Sequence, residues 1–433
     1  MRGAMGILGV LLMAACASGP RGRVTSAVAA DDLDGALEAY DEIRRSEGAD
    51  AELLGDVAAL ILIREAHGED DARRRAALTQ LSLAGTRGEP LLREIAGESG
   101  TGPARLGALR VLASRGGEAA RLSLRALADH DDPAILAMAV LGMDPSLDQA
   151  LLLEHCGAED PGLRAAAIRA LAPAAAEERV RERLATVARV DAVASVRAAA
   201  VRSLRGAGAS ASDALRERLG DPESSVRLAA VGALVAADPG AARAALAPLL
   251  EVAISPAGIE AARLLADDED ATTATGARRF LRRALTAQEA SLRIQAGVAL
   301  TGLPRATEAP MDAVREALGG ESSPAVQLAF ARALRRRDDP VARRTLIALL
   351  SGSGMPQVQA AALLAADDEE SARQVLTTVL RDLDQPSLSR RTAARALARD
   401  AMRPDAARGA LRDEDALVRI FAAGGILAAA AAS

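Results

Sequence analysis

The chain has 433 residues, beyond the ~250 to 300 that one hydrophobic core usually serves, so it is either several domains or a repeat array. Half of its residues are apolar and 26% are charged, which excludes wholesale disorder; only 1% are aromatic, so the interior has to be built from Ala and Leu. All 53 basic residues are Arg, which excludes a Lys Schiff base and a phosphate-loop Lys, and the formal charge of -6 disfavours nucleic acid as a partner.

In chain order, Arg2 and the apolar run from Gly3 to Ala15 predict a secretory signal peptide over residues 1–15, since the run is shorter than the ~20 residues of a spanning helix. The run ends Leu12-Met13-Ala14-Ala15-Cys16, which resembles the lipobox of bacterial lipoproteins, with Met13 where those families usually carry Leu. The resemblance implies acylation of Cys16 and a lipid-anchored place in the bacterial cell envelope. Ala17, in place of the Asp that commonly retains lipoproteins at the inner membrane, implies the outer membrane, facing the periplasm. Ordinary cleavage, with Cys16 a bystander, is the other reading. Acylation of Cys16 would leave Cys156 with no disulfide partner in its chain. Residues 16–30 read as a flexible tether. Asp31 to Arg64 is helical by period, and residues 31–65 are expected to form a tetratricopeptide-like or capping helical hairpin, with Tyr40 in its core.

From residue 66 to 433 one segment recurs, clearest as Asp221-Pro222-Glu223-Ser224-Ser225-Val226-Arg227 running on to Leu234. Marking the residue after the first aliphatic anchor gives Arg74, Arg105, Ala137, Arg164, Arg197, Arg227, Glu260, Arg293, Gln327, Gln359, Arg390 and Arg419. Eleven intervals cover 345 residues, a mean of 31.4, with steps between 27 and 34. Val226, Ala230 and Leu234 fall four apart on one stripe of a helix. Pro and Asp or Glu before the mark start that helix, and a second helix follows a short turn. A hairpin of two short helices cannot bury its apolar stripe alone, whereas stacking continues one elongated core from end to end. The expected fold is therefore an all-α solenoid of about 12 hairpins with a ~31-residue period. The closing Ala run reads as a frayed last helix.

Aliphatic-Arg, then Ala three residues and Leu seven residues after the Arg, resembles bacterial HEAT repeats of the type named after phycobilisome lyases. That family implies a ladder of arginines between repeats, and Arg105, Arg164, Arg197, Arg227, Arg293 and Arg419 are the matching positions. Ala137, Glu260, Gln327 and Gln359 depart from it.

The chemistry-bearing residues are few. His67, His130 and His155 form no His-Glu-x-x-His pattern, and Glu154-His155-Cys156 reads as an ordinary mixed helix face rather than a metal site. The acidic clusters Asp267 to Asp270 and Asp367 to Glu370 read as helix caps. Arg335 to Arg337, and the Arg278, Arg279, Arg282, Arg283 group, read as wet helix faces. No catalytic residue, metal ligand or cofactor is expected, and no small-molecule substrate. The function expected is a non-catalytic envelope lipoprotein that binds a protein partner through the solenoid surface. The alternative that the repeat resemblance implies is a chromophore (bilin) lyase-like or other HEAT-repeat enzyme accessory activity.

Overall fold

A computed structural model describes residues 19–303, 308–399 and 405–431; the signal segment 1–15 and Cys16 lie outside them. Over the described residues the chain is all-α, with no strand. It opens with α1 (Pro20–Ala29), α2 (Leu33–Glu47) and α3 (Ala51–His67). Next come α4 (Asp71–Leu83), α5 (Gly85–Gly97), α6 (Pro103–Ser114), α7 (Glu118–Arg125), α8 (Pro133–Ala139) and α9 (Gln149–His155). The middle of the chain holds α10 (Pro161–Ala170), α11 (Glu178–Val190), α12 (Ala194–Leu204), α13 (Ser212–Arg218), α14 (Ser224–Ala237) and α15 (Pro239–Leu246). It continues with α16 (Pro256–Leu265), α17 (Ala271–Ala284), α18 (Ala290–Thr301), α19 (Glu308–Gly320), α20 (Pro324–Arg335) and α21 (Pro340–Leu349). The last are α22 (Gly354–Ala365), α23 (Glu370–Arg381), α24 (Ser387–Ala398) and α25 (Ala416–Ala430).

Local chemistry sets these boundaries. Asp160 caps α10, accepting from the Leu163 amide, and Pro161 follows at the first helical position, where its missing N–H costs nothing. Asp238 with Pro239 starts α15 in the same way. Ala and Gly at the crossings let helices approach closely: Ala200 and Ala230 are fully buried, and a Cβ on Gly297 would stand 2.4 Å from the Phe330 ring.

Two compact units divide the chain. One is Arg121–Thr345, in which α10, α12, α14, α16, α18 and α20 pack neighbour on neighbour as one layer, while α11, α13, α15, α17 and α19 touch one another little. The first layer is therefore the one whose helices pack directly on one another along this unit. The architecture is an α-solenoid of stacked hairpins.

The other unit joins the chain up to Ala120 with everything from Leu346 onward. Here α25 packs against α24 on one side and against α3 and α4 on the other. Leu427 and Ala430 face Gly55, and Gly424 sits on Gln80. The expectation of a frayed last helix is corrected: α25 is buried almost all round, because Val418, Ile420, Ile426 and Leu427 all find cover. Polar contacts reinforce the join. The buried Tyr40 hydroxyl donates to Asp405 (2.7 Å), Arg44 also pairs with Asp405, Arg408 and Arg412 pair with Asp41, and Arg419 reaches Glu65 (3.3 Å). Burial, helped by Asp405, pushes the Tyr40 phenol above its ordinary pKa. Tyr40 is thus core and contact together.

Within the tether expected over residues 16–30, Pro20–Ala29 is instead the helix α1, packed on α2. Gly22 and Val24 are buried, Arg21 pairs with Glu47 and Asp50, and Arg23 pairs with Glu42. Among the described residues no helix is long and apolar enough to cross a membrane.

Candidate functional site

The arginines of the sequence pattern stand at the third or fourth residue of their helices. From there a side chain tilts back toward the helix N-terminus and meets the turn the chain has just left. Arg164 donates to Ala158 O (2.9 Å) and Glu159 O (2.8 Å), Arg197 to Asp191 O (2.9 Å), Arg227 to Asp221 O (2.7 Å) and Arg293 to Ala287 O (2.8 Å). The free edge of the guanidinium crosses to the following hairpin. Arg164 grips Asp191 through Nε (2.8 Å) and Nη2 (3.1 Å), Arg197 grips Asp221 (3.0 and 2.9 Å), and Arg293 grips Glu321 (2.8 and 3.2 Å).

Each of those carboxylates also accepts an amide at the start of the next helix of the layer: Asp191 from Val193, Asp221 from Glu223, Glu321 from Ser323. Arg164, Asp191, Arg197, Asp221 and Arg227 thus form one unbroken line of side chain and backbone. Arg197 and Asp221 are buried, and Arg197 foremost, with the Glu223 amide, holds the Asp221 carboxyl below the usual range against the upward push of burial. In the discontinuous unit Arg390 grips Asp413 (2.8 and 2.7 Å), and Arg419 donates to Asp413 O (2.8 Å). Arg105 reaches only carbonyls, Ala96 O and Gly100 O.

The four departures resolve differently. Gln327 donates to Glu321 O (2.6 Å) as an arginine would. Gln359 is exposed, and Gln357, fourth in α22, takes the ladder role by donating to Leu350 O (2.8 Å). The fourth residue of α16 is Ile259, so Glu260 is off the ladder and pairs with Arg263 (2.6 Å). Ala137 has no polar atom to offer.

No family model matches this chain, and no curated protein matches it. Among solved structures, an engineered protein from a structural genomics consortium is 18% identical at a TM-score of 0.24, over 92% of this chain and 98% of that one. A Kap121p mutant is 15% identical at a TM-score of 0.26, over 97% of this chain and 48% of that one, so the chain spans about half of Kap121p.

Several of the remaining candidates are absorbed by the scaffold. Asp268 accepts from Arg243 (2.9 Å) and from the Asp270 amide (2.8 Å), while Asp270 caps α17. Arg337 ties α20 to the preceding hairpin through Thr301 O (3.1 Å) and Leu303 O (2.8 Å). Arg283 reaches back to Leu250 O and lies over the Phe280 ring, and Arg278 pairs with Asp267. Cys156 is a free, buried thiol that burial pushes up to about 11, with Arg183 opposing. Among the described residues no three His, Cys, Asp or Glu side chains gather to hold a metal.

Within Arg121–Thr345, the layer of α10, α12, α14, α16, α18 and α20 also has an outward face. Five residues after the ladder residue the helix turns farthest from its buried stripe, and there stand Arg169, Arg202, Gly232, Val298 and Arg332. Arg169, Arg202 and Arg332 are exposed, Val298 is 44% exposed, and Leu228 beside Gly232 is 40% exposed. This row was missed because the sequence pattern draws the eye to the ladder arginines. The same period carries it once the phase is known.

Proposed function

We propose that this chain is a non-catalytic, protein-binding scaffold of bacterial HEAT-repeat type, exported and anchored by acyl chains on Cys16 to the outer membrane, with the solenoid in the periplasm. The observation that carries the reading is a division of labour within Arg121–Thr345. The ladder arginines and their carboxylates hold successive hairpins in register, while beside them an exposed row recurs on five of the six helices of that layer, mixing Arg with Leu228 and Val298. Stacks of this kind bind by area and shape. With no Trp in the chain, the strong contacts fall to arginine and aliphatic groups.

A photo-crosslinking residue placed at Val298 in intact cells tests the scaffold reading. It is expected to capture one discrete protein, whereas the same residue at exposed Glu182 on α11 does not; equal capture at both positions, or none, ends the reading. The anchor is tested separately. Cys16→Ala is expected to abolish palmitate labelling, and undiminished labelling removes the lipid from the account.

A further inference from the structure

We infer that the partner docks through an acidic, extended protein segment laid across α10, α12, α14, α16, α18 and α20, over the exposed Arg169, Arg202 and Arg332. The inference rests on the scaffold reading and specifies the chemistry of what is bound.

The argument begins with charge. The chain is net acidic at -6, yet these six helices carry nine arginines (164, 169, 197, 202, 227, 263, 293, 332 and 335) and a single carboxylate, Glu260. The other layer is basic as well, but it sets acids among its arginines, with Glu178 and Glu182 on α11, Asp213 and Glu217 on α13, and Asp312 and Glu316 on α19. Most of the nine are satisfied within the chain: Arg164, Arg197 and Arg293 by the next hairpin, Arg227 by carbonyls, Arg263 by Glu260. Arg169, Arg202 and Arg332 are exposed and make no ion pair or side-chain hydrogen bond among the described residues. Three unpaired guanidiniums at one register position, on helices that share a single carboxylate, give that face positive potential without internal compensation.

Spacing selects the occupant. Packed helices lie ~8 to 10 Å apart, so Arg202 on α12 and Arg332 on α20, four helices further on, are separated by roughly 30 to 40 Å. An extended peptide covers that with about 10 to 12 residues at ~3.3 Å each. Between the charges Gly232, Leu228 and Val298 offer a bare backbone and aliphatic contact, which suits apolar side chains set between carboxylates. Nucleic acid suits the row poorly. It presents one charge per ~1.7 Å and favours dense cations and stacking aromatics, whereas this row is sparse and Phe280 and Phe330 are buried.

The test uses the full chain in cells, with the photo-crosslinking residue at Val298 and three backgrounds: unaltered, R202E/R332E, and R202K/R332K. Expected is a drop in adduct of tenfold or more in the first double variant, substantial retention in the second, and a captured peptide, mapped by mass spectrometry, rich in Asp and Glu. Circular dichroism confirms that each variant keeps its helix content. Glu260→Ala, which frees Arg263, is expected to increase the adduct. An adduct that persists in R202E/R332E, or a captured peptide that is neutral or basic, overturns this inference and leaves the scaffold reading standing. An adduct destroyed by nuclease overturns it in favour of nucleic acid. Absence of any adduct at Val298 in the unaltered background overturns the scaffold reading and this inference together.

Discussion

At the residue scale, not every ladder arginine is worth the same, because what each one leaves behind differs. Removing Arg197 strands the buried Asp221 carboxylate, and breaking a buried pair from one side costs about 3 to 5 kcal/mol. Arg227 binds only the carbonyls of Asp221 and Pro222, so its loss leaves uncharged acceptors unsatisfied, at about 1 to 3 kcal/mol. Urea unfolding is expected to rank Arg197→Ala well below Arg227→Ala; equal midpoints would mean that the Asp221 pair contributes nothing. The same carboxyl sets a pH dependence. Arg197 holds native Asp221 below the ordinary range, whereas in the unfolded chain it titrates at about 3.9. The native state therefore binds fewer protons, and the stabilisation is present above pH ~4 and lost as the pH falls from there toward the native value. The stability advantage of the natural chain over Asp221→Asn, measured at neutral pH, is expected to shrink between about pH 5 and 3. An advantage constant over that window would contradict it.

At the element scale, the hairpins were legible because Ala and Leu anchors recur at a fixed period, and a helix can meet its neighbour only where small residues recur. Gly297 shows how tightly. A Cβ there would lie 2.4 and 2.6 Å from two atoms of the Phe330 ring, so Gly297→Ala is expected to cost about 1 to 3 kcal/mol. Phe330→Leu, destabilising by itself, is expected to make the Gly297 substitution less harmful, a coupling that a double-mutant cycle reads directly; strictly additive losses would place the clash elsewhere. Phase within a hairpin was harder to read. Around Gln359 the helix buries Val358, Ala360, Ala361 and Leu364, so hydrophobicity marks no single stripe, and only the start of α22 at Gly354 shows that Gln357 is the fourth residue. The segment read as a tether failed for another reason. α1 buries little beyond Gly22 and Val24 and is held by Arg21 and Arg23 to acids 19 to 29 residues away, partners that no local pattern announces. The exposed row was legible only in part, since the period places Arg169, Arg202 and Arg332 alike, whereas Arg263 falls one position earlier in its helix and pairs with Glu260.

At the scale of the whole molecule, the expectation of an elongated core running from end to end met its main revision in the discontinuous unit, where segments 361 to 371 residues apart are joined by Arg44, Asp405, Asp41, Arg408 and Arg412. A contact of that separation leaves no periodic trace, and an Ala-rich terminal run looks frayed until the surface that receives it is known. The size of the effect follows from burial. Val418, Ile420, Ile426 and Leu427 are each at most 2% exposed, and at about 1.5 to 3 kcal/mol per side chain as an upper estimate they represent roughly 6 to 12 kcal/mol, comparable with the ~5 to 15 kcal/mol net stability of an entire domain. Deleting residues 416–433 is therefore expected to unfold or loosen the α3 to α5 region, which loses the cover of Gly55 and Gln80 and the Glu65 partner. Arg121–Thr345 keeps its own contacts and is expected to stay folded. Hydrogen exchange read by mass spectrometry separates the outcomes. Protection should fall across Ala51–Leu83 and persist across Ala194–Leu265, because the ladder from Arg164 to Arg227 and the core around Ala200 and Ala230 lie wholly within the second unit. Loss of protection in both segments would make the two units one cooperative body. Unchanged protection in Ala51–Leu83 would mean that the buried face of α25 contributes far less than its apolar side chains imply.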